Sequence, residues 1–281
     1  MISFGIEGIF EFDFARNKGS NNGDVPLFAE TVCEDLEKGL KKYSHTGWFL
    51  PNDYCQETDL RDKTKRPPRM RKDGEKLIIE EGTEGPFGKN KADSVDLFFI
   101  MTHGNNYEGE ISLSFNTNKD FIDSWSFLWR LGKAAGGGCK WFIMYACSTL
   151  NLDHVLKLRP IFQGLHMLCG AYDSMVSSFT TDESGEDLCD NLCKYNKPVA
   201  DAWIEAVEDR VQDNHPMVVA AEKRDSIDPI TGRADWSSTT MSQDHIHGHG
   251  PTMKNISNSD IHWMSVKWKE VYLLKQRRVQ I

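Results

Sequence analysis

The chain of 281 residues lacks features that would place it in several familiar classes of protein. It has no apolar run of about 18 residues, the length that a helix needs to span a membrane. Its first residues, MISFGIEGIFEFDF, contain acids and no basic leader, so no signal peptide is expected. The net charge of −9 provides no general basic surface, which nucleic-acid binding requires. We therefore expect neither a membrane nor a nucleic acid as a partner.

The cysteines show no pairing pattern. There are seven of them, scattered along the chain, and no two form a CxxC pair. Without a leader sequence and with an odd count, a disulfide framework is not expected, and a reducing, cytoplasmic location is predicted. Free thiols in that setting either fill the core or take part in chemistry.

Apolar runs and helical spacing alternate along the chain. This alternation predicts an α/β fold with a mostly parallel central sheet flanked by helices. Strands are predicted at residues 2–10, 47–51, 95–101, 139–146, 165–172, 216–222 and 261–274, and helices at 27–43, 119–135, 185–195 and 198–211. The helix at 119–135 is the expected crossover between two buried strands. A single domain over residues 1–281 is predicted, with a long basic loop at 52–92 and a polar loop at 223–260.

Two of the predicted strands end in a reactive side chain. DLFFIMTHGN, residues 96–105, leads into His103, and KWFIMYACST, residues 140–149, leads into Cys147. In an open parallel sheet the active site lies beyond the carboxyl ends of the strands, and neighbouring strands are about 4.8 Å apart. An imidazole there can accept the thiol proton and later donate one to a leaving group. The backbone N–H groups of Gly104 and Cys147 can stabilise an oxyanion.

Each of the two side chains also has an ordinary structural interpretation. Cys147 alone is typical of buried core filler, and His103 alone is typical of a structural hydrogen-bonding residue. The repeated arrangement of strand, reactive residue and small neighbour favours a Cys–His pair over two unrelated residues.

These two motifs resemble the catalytic pattern of the caspase-like (clan CD) cysteine peptidases, the group that contains caspases, gingipains, legumain and separase. ISFGIEGI, GLHMLCGAYDS and KPVADAWIEAV extend the similarity toward an uncharacterised caspase-like family and the CHAT peptidases. The resemblance implies a three-layer sandwich and a cysteine endopeptidase. The same resemblance implies that His103 is the general base and acid, that Cys147 is the nucleophile, and that Gly104 is part of the oxyanion hole. Several of these families have glycine after the nucleophile, where this chain has Ser148.

The resemblance also indicates partners and alternatives. It implies a protein or peptide substrate, no cofactor, and an activating partner or processing event, for which the basic segment at 61–76 is a plausible cleavage site. Three other functions stay open at this point. One is a non-proteolytic Cys–His acyl-transfer enzyme or amidase, and another is a binding module that has lost the chemistry. The third is a metal-binding protein that uses the histidine-rich segment at 244–250.

Two acids are predicted to bind substrate. Glu7 lies within the first strand, and Asp173 follows the strand after the cysteine motif. An acid in the pocket would favour Arg or Lys before the scissile bond. A structural or surface role is the alternative for both.

A histidine-rich segment and a cysteine pair are possible metal ligands. DHIHGHG, residues 244–250, places His245, His247 and His249 at alternate positions, which suits zinc or copper binding or a flexible loop. Cys189 and Cys193 are four residues apart on a predicted helix, and metal binding there would need two further ligands. His166, inside an apolar strand, is predicted to be a hydrogen-bonded core histidine.

Overall fold

A computed structural model gives the fold of most of the chain. The residues that it describes are 1–9, 29–51, 55, 60, 71–73, 76–78, 92–116, 121–126, 129–132, 138–173, 175, 183–208, 214–223, 243–247, 261–270 and 273–280.

Strands dominate this part of the chain. They are β1 (Ser3–Gly8), β2 (Thr46–Pro51), β3 (Arg71–Asp73), β4 (Lys76–Ile78), β5 (Leu97–Met101), β6 (Gly104–Tyr107), β7 (Glu110–Asn116), β8 (Phe121–Trp125), β9 (Trp141–Tyr145), β10 (Met167–Ala171), β11 (Pro216–Lys223), β12 (Ile261–Glu270) and β13 (Leu273–Gln280). The helices are α1 (Ala29–Lys42), α2 (Ser184–Cys189) and α3 (Val199–Glu208). Short 3-10 helices cover Ala92–Ser94 and Leu152–Ile161, and a π-helical segment, Asp190–Lys194, continues α2.

Eight strands form the central sheet in the order β13-β12-β11-β10-β9-β5-β1-β2. The five strands from β10 to β2 run parallel to one another, and β11, β12 and β13 are added antiparallel. Every residue of β5 and β9 is buried, as expected for parallel strands covered on both faces. All the carboxyl ends of the five parallel strands therefore meet at one edge of the sheet.

Packing partners cover both faces of the sheet. The ring of Trp203, on α3, lies 5.9 Å from the ring of Tyr145, and the ring of Trp129 lies 5.6 Å from that of Phe142. Phe142 and Tyr145 are three residues apart on β9, so they face opposite sides of the sheet. The predicted α/β class, with a mostly parallel central sheet between covering layers, is confirmed.

Helix α1 follows directly from its sequence. Val32, Leu36 and Leu40 are completely or almost completely buried on one face. On the other side Lys38 pairs with Glu34 at 2.9 Å, an exposed pair one turn apart.

The predicted crossover helix at 119–135 is wrong. The chain instead forms β8, which pairs antiparallel with β7 in a separate three-stranded sheet that also contains β6. The apolar residues of FIDSW fit the periodicity of a helix or of a strand, and hydrogen bonds to the partner strand β7 select the strand.

The predicted closing strand at 261–274 is in fact two strands, β12 and β13. Within the predicted basic loop, β3 and β4 form a short antiparallel pair.

None of the helices in the described residues is long and apolar enough to cross a bilayer.

Candidate active site

His103 and Cys147 occupy equivalent positions on neighbouring strands. Met101, the last residue of β5, lies opposite Tyr145, the last residue of β9, and the two strands run parallel. His103 and Cys147 each follow two residues later. The N–H of Thr102 still donates to the Tyr145 carbonyl at 3.3 Å, so the two segments remain adjacent beyond the strand ends. Both residues are half-buried at this carboxyl edge.

Gly104 is packed against the cysteine segment. A β-carbon at this position would lie 2.7 Å from the carbonyl oxygen of Cys147 and 2.8 Å from the β-carbon of Ala146. These distances are shorter than van der Waals contact, so only glycine fits without movement. The structure therefore brings the His103–Gly104 segment into direct contact with the Cys147 segment.

The sulfur of Cys147 contacts the backbone of Met175. The N–H of Met175 donates to Sγ at 3.2 Å, and the carbonyl of the same residue lies 3.5 Å from Sγ. These contacts orient the thiol at the edge of the sheet. The sequence carried no signal for them, because Met175 lies outside every predicted element.

The backbone after Cys147 turns sharply and then pairs with the chain after β10. Ser148 has φ 48°, in the left-handed region that favours glycine. Its N–H donates to the Asp173 carbonyl at 2.8 Å, and the N–H of Leu150 donates to the Ala171 carbonyl at 2.8 Å. Ser148 thus has a backbone conformation that favours glycine. Glycine is also the residue that follows the nucleophile in several of the caspase-like families that the sequence resembles.

Asp173 lies beside this turn. Its side chain is 60% exposed, and Oδ2 is 3.9 Å from Nδ1 of His215. The ring of His215 packs on that of Tyr172 at 4.9 Å between centroids. An accessible carboxylate therefore borders the Cys147 turn, together with a second histidine that the sequence analysis did not single out.

Glu7 has a different environment. It pairs through its backbone with Ile100 of β5 and Leu50 of β2, and its side chain is completely buried. It lies one residue from the carboxyl end of β1. Its role in substrate binding stays a prediction.

His166 and His247 lie toward the opposite, amino-terminal edge of the sheet. His166 precedes β10, and its Nδ1 is 2.5 Å from Oδ2 of Asp244, both side chains being fully buried. His245 is half-buried and His247 exposed, while His249 lies outside the described residues. His247 stacks on His45, the residue before β2, at 5.5 Å between ring centroids.

The fold and this edge define an α/β protein with a cysteine and a histidine following adjacent parallel strands. The chain belongs to the family described as Domain of unknown function (DUF6345), whose model matches residues 19–270. No curated protein gives a significant match. Among solved structures, the chain is similar to the Drosophila initiator caspase Dronc, with 13% identity and a TM-score of 0.41 over 74% of this chain and 73% of that one. It is also similar to caspase-1 from Spodoptera frugiperda, with 14% identity and a TM-score of 0.39 over 73% of this chain and 76% of that one.

Proposed function

We propose that the protein is a cysteine endopeptidase in which Cys147 is the nucleophile and His103 the general base and acid. The observation that carries this proposal is the matched position of the two residues, each two residues beyond the paired strand ends Met101 and Tyr145. The close contact of Gly104 with the Cys147 carbonyl supports it, because it keeps the two segments together.

The proposed reaction has two stages. The imidazole of His103 takes the thiol proton, and the sulfur attacks the peptide carbonyl carbon, so that the carbonyl electron pair moves to oxygen. The C–N bond then breaks as His103 gives its proton to the leaving amine, which leaves a thioester. Water attacks the thioester with His103 as base, the C–S bond breaks, and the thiol is reprotonated. Backbone N–H groups of Gly104 and Cys147 are the proposed oxyanion donors.

Asp173 is the proposed determinant of substrate preference. Its carboxylate is accessible and borders the Cys147 turn, where it can pair with an Arg or Lys side chain before the scissile bond. Glu7, which is buried in β1, is retained as a second proposed substrate-binding residue.

The decisive experiment is a peptide-library cleavage assay on the wild-type chain and the Cys147→Ala and His103→Ala variants. We expect cleavage by the wild type and a loss of about a thousandfold or more in both variants, because neither keeps an activated nucleophile. His215→Ala is the matched control, since it removes the second histidine at this edge. Activity that survives His103→Ala and is lost in His215→Ala would contradict the assignment of the base.

Two further outcomes would overturn the proposal. Turnover of small amides but of no peptide would make the chain an amidase or acyl-transfer enzyme. A Cys147 thiol that reacts with a thiol-directed electrophile no faster than the other six cysteines, with no cleavage of any substrate, would make it a binding module.

A further inference from the structure

Three potential metal ligands from three parts of the chain lie together near the ends of α1 and α2, and a fourth lies beside one of them. Ligand atoms of His45, Cys193 and His247 all lie within 4.8 Å of one another. The sulfur of Cys189 is 3.9 Å from that of Cys193. His45 precedes β2, the cysteines lie at the end of α2 and in the π-helical segment, and His247 lies in the segment 243–247.

His45 is held in place with one nitrogen unused. Its side chain is 4% exposed, and its backbone N–H donates to the Leu40 carbonyl at 3.1 Å. Nδ1 accepts a hydrogen bond from the N–H of Ile2 at 3.2 Å, whereas the buried Nε2 makes no hydrogen bond. A buried polar atom without a hydrogen bond destabilises the fold, so a ligand for Nε2 would remove that penalty.

The two sulfurs are spaced as zinc ligands. Two sulfurs at about 2.3 Å from a tetrahedral Zn²⁺ ion are about 3.8 Å apart, close to the 3.9 Å between Cys189 and Cys193. Cys193 lies in a π-helical segment, a distortion that is frequent at functional sites.

We propose that His45, Cys189, Cys193 and His247 bind one Zn²⁺ ion. Two thiolates and two imidazoles are a common closed, four-coordinate zinc set, and they supply the two further ligands that the cysteine pair lacked in sequence. The imidazole nitrogens, which lie within 4.8 Å of the Cys193 sulfur, must approach it by up to about 1 Å to reach tetrahedral distances, and the exposed His247 has room to move.

Zinc binding through Nε2 of His45 has one structural cost. The ring proton must then sit on Nδ1, so the 3.2 Å hydrogen bond from Ile2 is lost. The N–H of Ile2, next to the exposed Met1, would then need another acceptor. The free energy lost with this one hydrogen bond is much smaller than the binding free energy of a structural zinc ion.

The site is structural because of its place in the fold. His45 and Ile2 precede β2 and β1, at the amino-terminal edge of the sheet, while His103 and Cys147 follow β5 and β9 at the carboxyl edge. A six-residue strand such as β1 separates the two edges by roughly 17–20 Å. The zinc ion therefore acts outside the proposed peptidase chemistry.

The role of the zinc ion is to fix the segment 243–247 to the helices. Asp244 already anchors this segment, because its side chain contacts His166 at 2.5 Å and its carbonyl accepts from the N–H of Val199 at 2.8 Å. His247 lies three residues further on, so its position follows from a buried anchor. Zinc would add a second attachment, which connects this segment with α1 and the end of α2.

Cobalt binding to the reduced, metal-free full-length chain tests the site. We expect one Co²⁺ per chain, with the visible absorption of a tetrahedral ion and thiolate charge-transfer bands, and its displacement by one equivalent of Zn²⁺. Cys193→Ser and His247→Ala should each weaken Zn²⁺ binding by about tenfold or more, since each removes a ligand. His247 is exposed, so its variant should fold normally.

Two matched controls complete the experiment. His245→Ala removes the neighbouring half-buried histidine, and Cys147→Ser removes a half-buried thiol at the other edge; both should bind cobalt like the wild type. The inference is overturned if the wild type binds no stoichiometric Co²⁺ or Zn²⁺. It is equally overturned if the metal affinity is unchanged in both Cys193→Ser and His247→Ala. It is also overturned if a Cys189–Cys193 disulfide forms and its reduction restores no metal binding. Because Cys147 is not a ligand, an inactive peptidase site would leave these results unchanged.

Discussion

Gly104 and Cys147 are in such close contact that a β-carbon on the glycine would lie 2.7 Å from the cysteine carbonyl oxygen. Gly104→Ala must therefore push the two segments apart. We expect a loss of stability of about 1–3 kcal/mol and a fall in peptidase activity of about a hundredfold. Denaturant unfolding and cleavage rates measure the two effects.

Gly138→Ala is the control for that substitution. A β-carbon at Gly138 would meet its nearest atom, the carbonyl oxygen of Val95, at an ordinary 3.4 Å. Its effect on stability should stay within about 0.5 kcal/mol. Equal effects of the two substitutions would contradict the proposed importance of the Gly104 contact.

Ser148 has a backbone conformation that suits glycine better than serine. The left-handed region costs a residue other than glycine about 1–2 kcal/mol, while glycine loses about 0.5–1 kcal/mol through chain entropy. Ser148→Gly should consequently raise the free energy of unfolding by up to about 1 kcal/mol, and Ser148→Ala should not. A thermal melt of the three proteins tests this, and an equal shift for Ala and Gly would show that the hydroxyl matters instead.

Asp173 should control the preference for a basic residue before the scissile bond. Asp173→Asn is expected to reduce kcat/KM for Arg and Lys peptides by about tenfold, with little change for neutral peptides, since it removes one partner of an ion pair. Asp35→Asn on α1 serves as the control. A uniform decrease over all peptides would indicate a structural role for Asp173.

Asp96 should make stability depend on pH. Burial alone would raise the pKa of Asp96, but hydrogen bonds from Lys140 and Ser3 outweigh burial and lower it below the usual value. A lowered folded-state pKa adds stability above the unfolded pKa of about 4, and this stability is lost as the pH falls through the lower folded value. The difference in unfolding free energy between wild type and Asp96→Asn should thus shrink from pH 7 to pH 3.

An exposed pair provides the comparison for Asp96. Glu34 and Lys38 are on the solvent side of α1, and Glu34→Gln should change stability by less than about 0.5 kcal/mol at either pH. A difference between wild type and Asp96→Asn that is the same at pH 7 and pH 3 would contradict the role of the Asp96 carboxylate.

Gly39 and Cys189 should show coupled effects. A β-carbon at Gly39 would lie 2.5 Å from Sγ and 2.9 Å from the β-carbon of Cys189. Gly39→Ala should destabilise the chain by about 1–3 kcal/mol, although alanine favours helices. In the Cys189→Ala background part of that cost should disappear, because the nearest atom is gone; strictly additive effects in the double-mutant cycle would contradict the contact.

The sequence predicts the central sheet because each buried strand is a continuous apolar run that is recognisable without reference to distant residues. LFFIM and WFIMY are continuous apolar runs, and each predicts a buried parallel strand without knowledge of its neighbours. The same runs located His103 and Cys147 at strand ends. The sequence of 119–135 wrongly predicts a helix because its apolar residues fit the periodicity of a helix or of a strand, and its pairing with β7, which selects the strand, is a contact in three dimensions.

Contacts between distant residues could not be predicted. The cysteine pair at 189 and 193 was visible as a helix spacing, but His45 lies 144 or more residues earlier in the chain and no local pattern connects them. The contact of Met175 with the sulfur of Cys147 is made by backbone atoms, which every residue possesses. Such features depend on how elements pack, not on the type of residue.

Strand β13, at one edge of the central sheet, has a consequence for self-association. An edge strand offers unpaired backbone groups on which another chain can add a strand, and this is a route to aggregation. β13 carries Lys275 and Arg277. If two molecules met along this strand, these like charges would be forced together, which is one way in which natural proteins oppose edge-to-edge pairing.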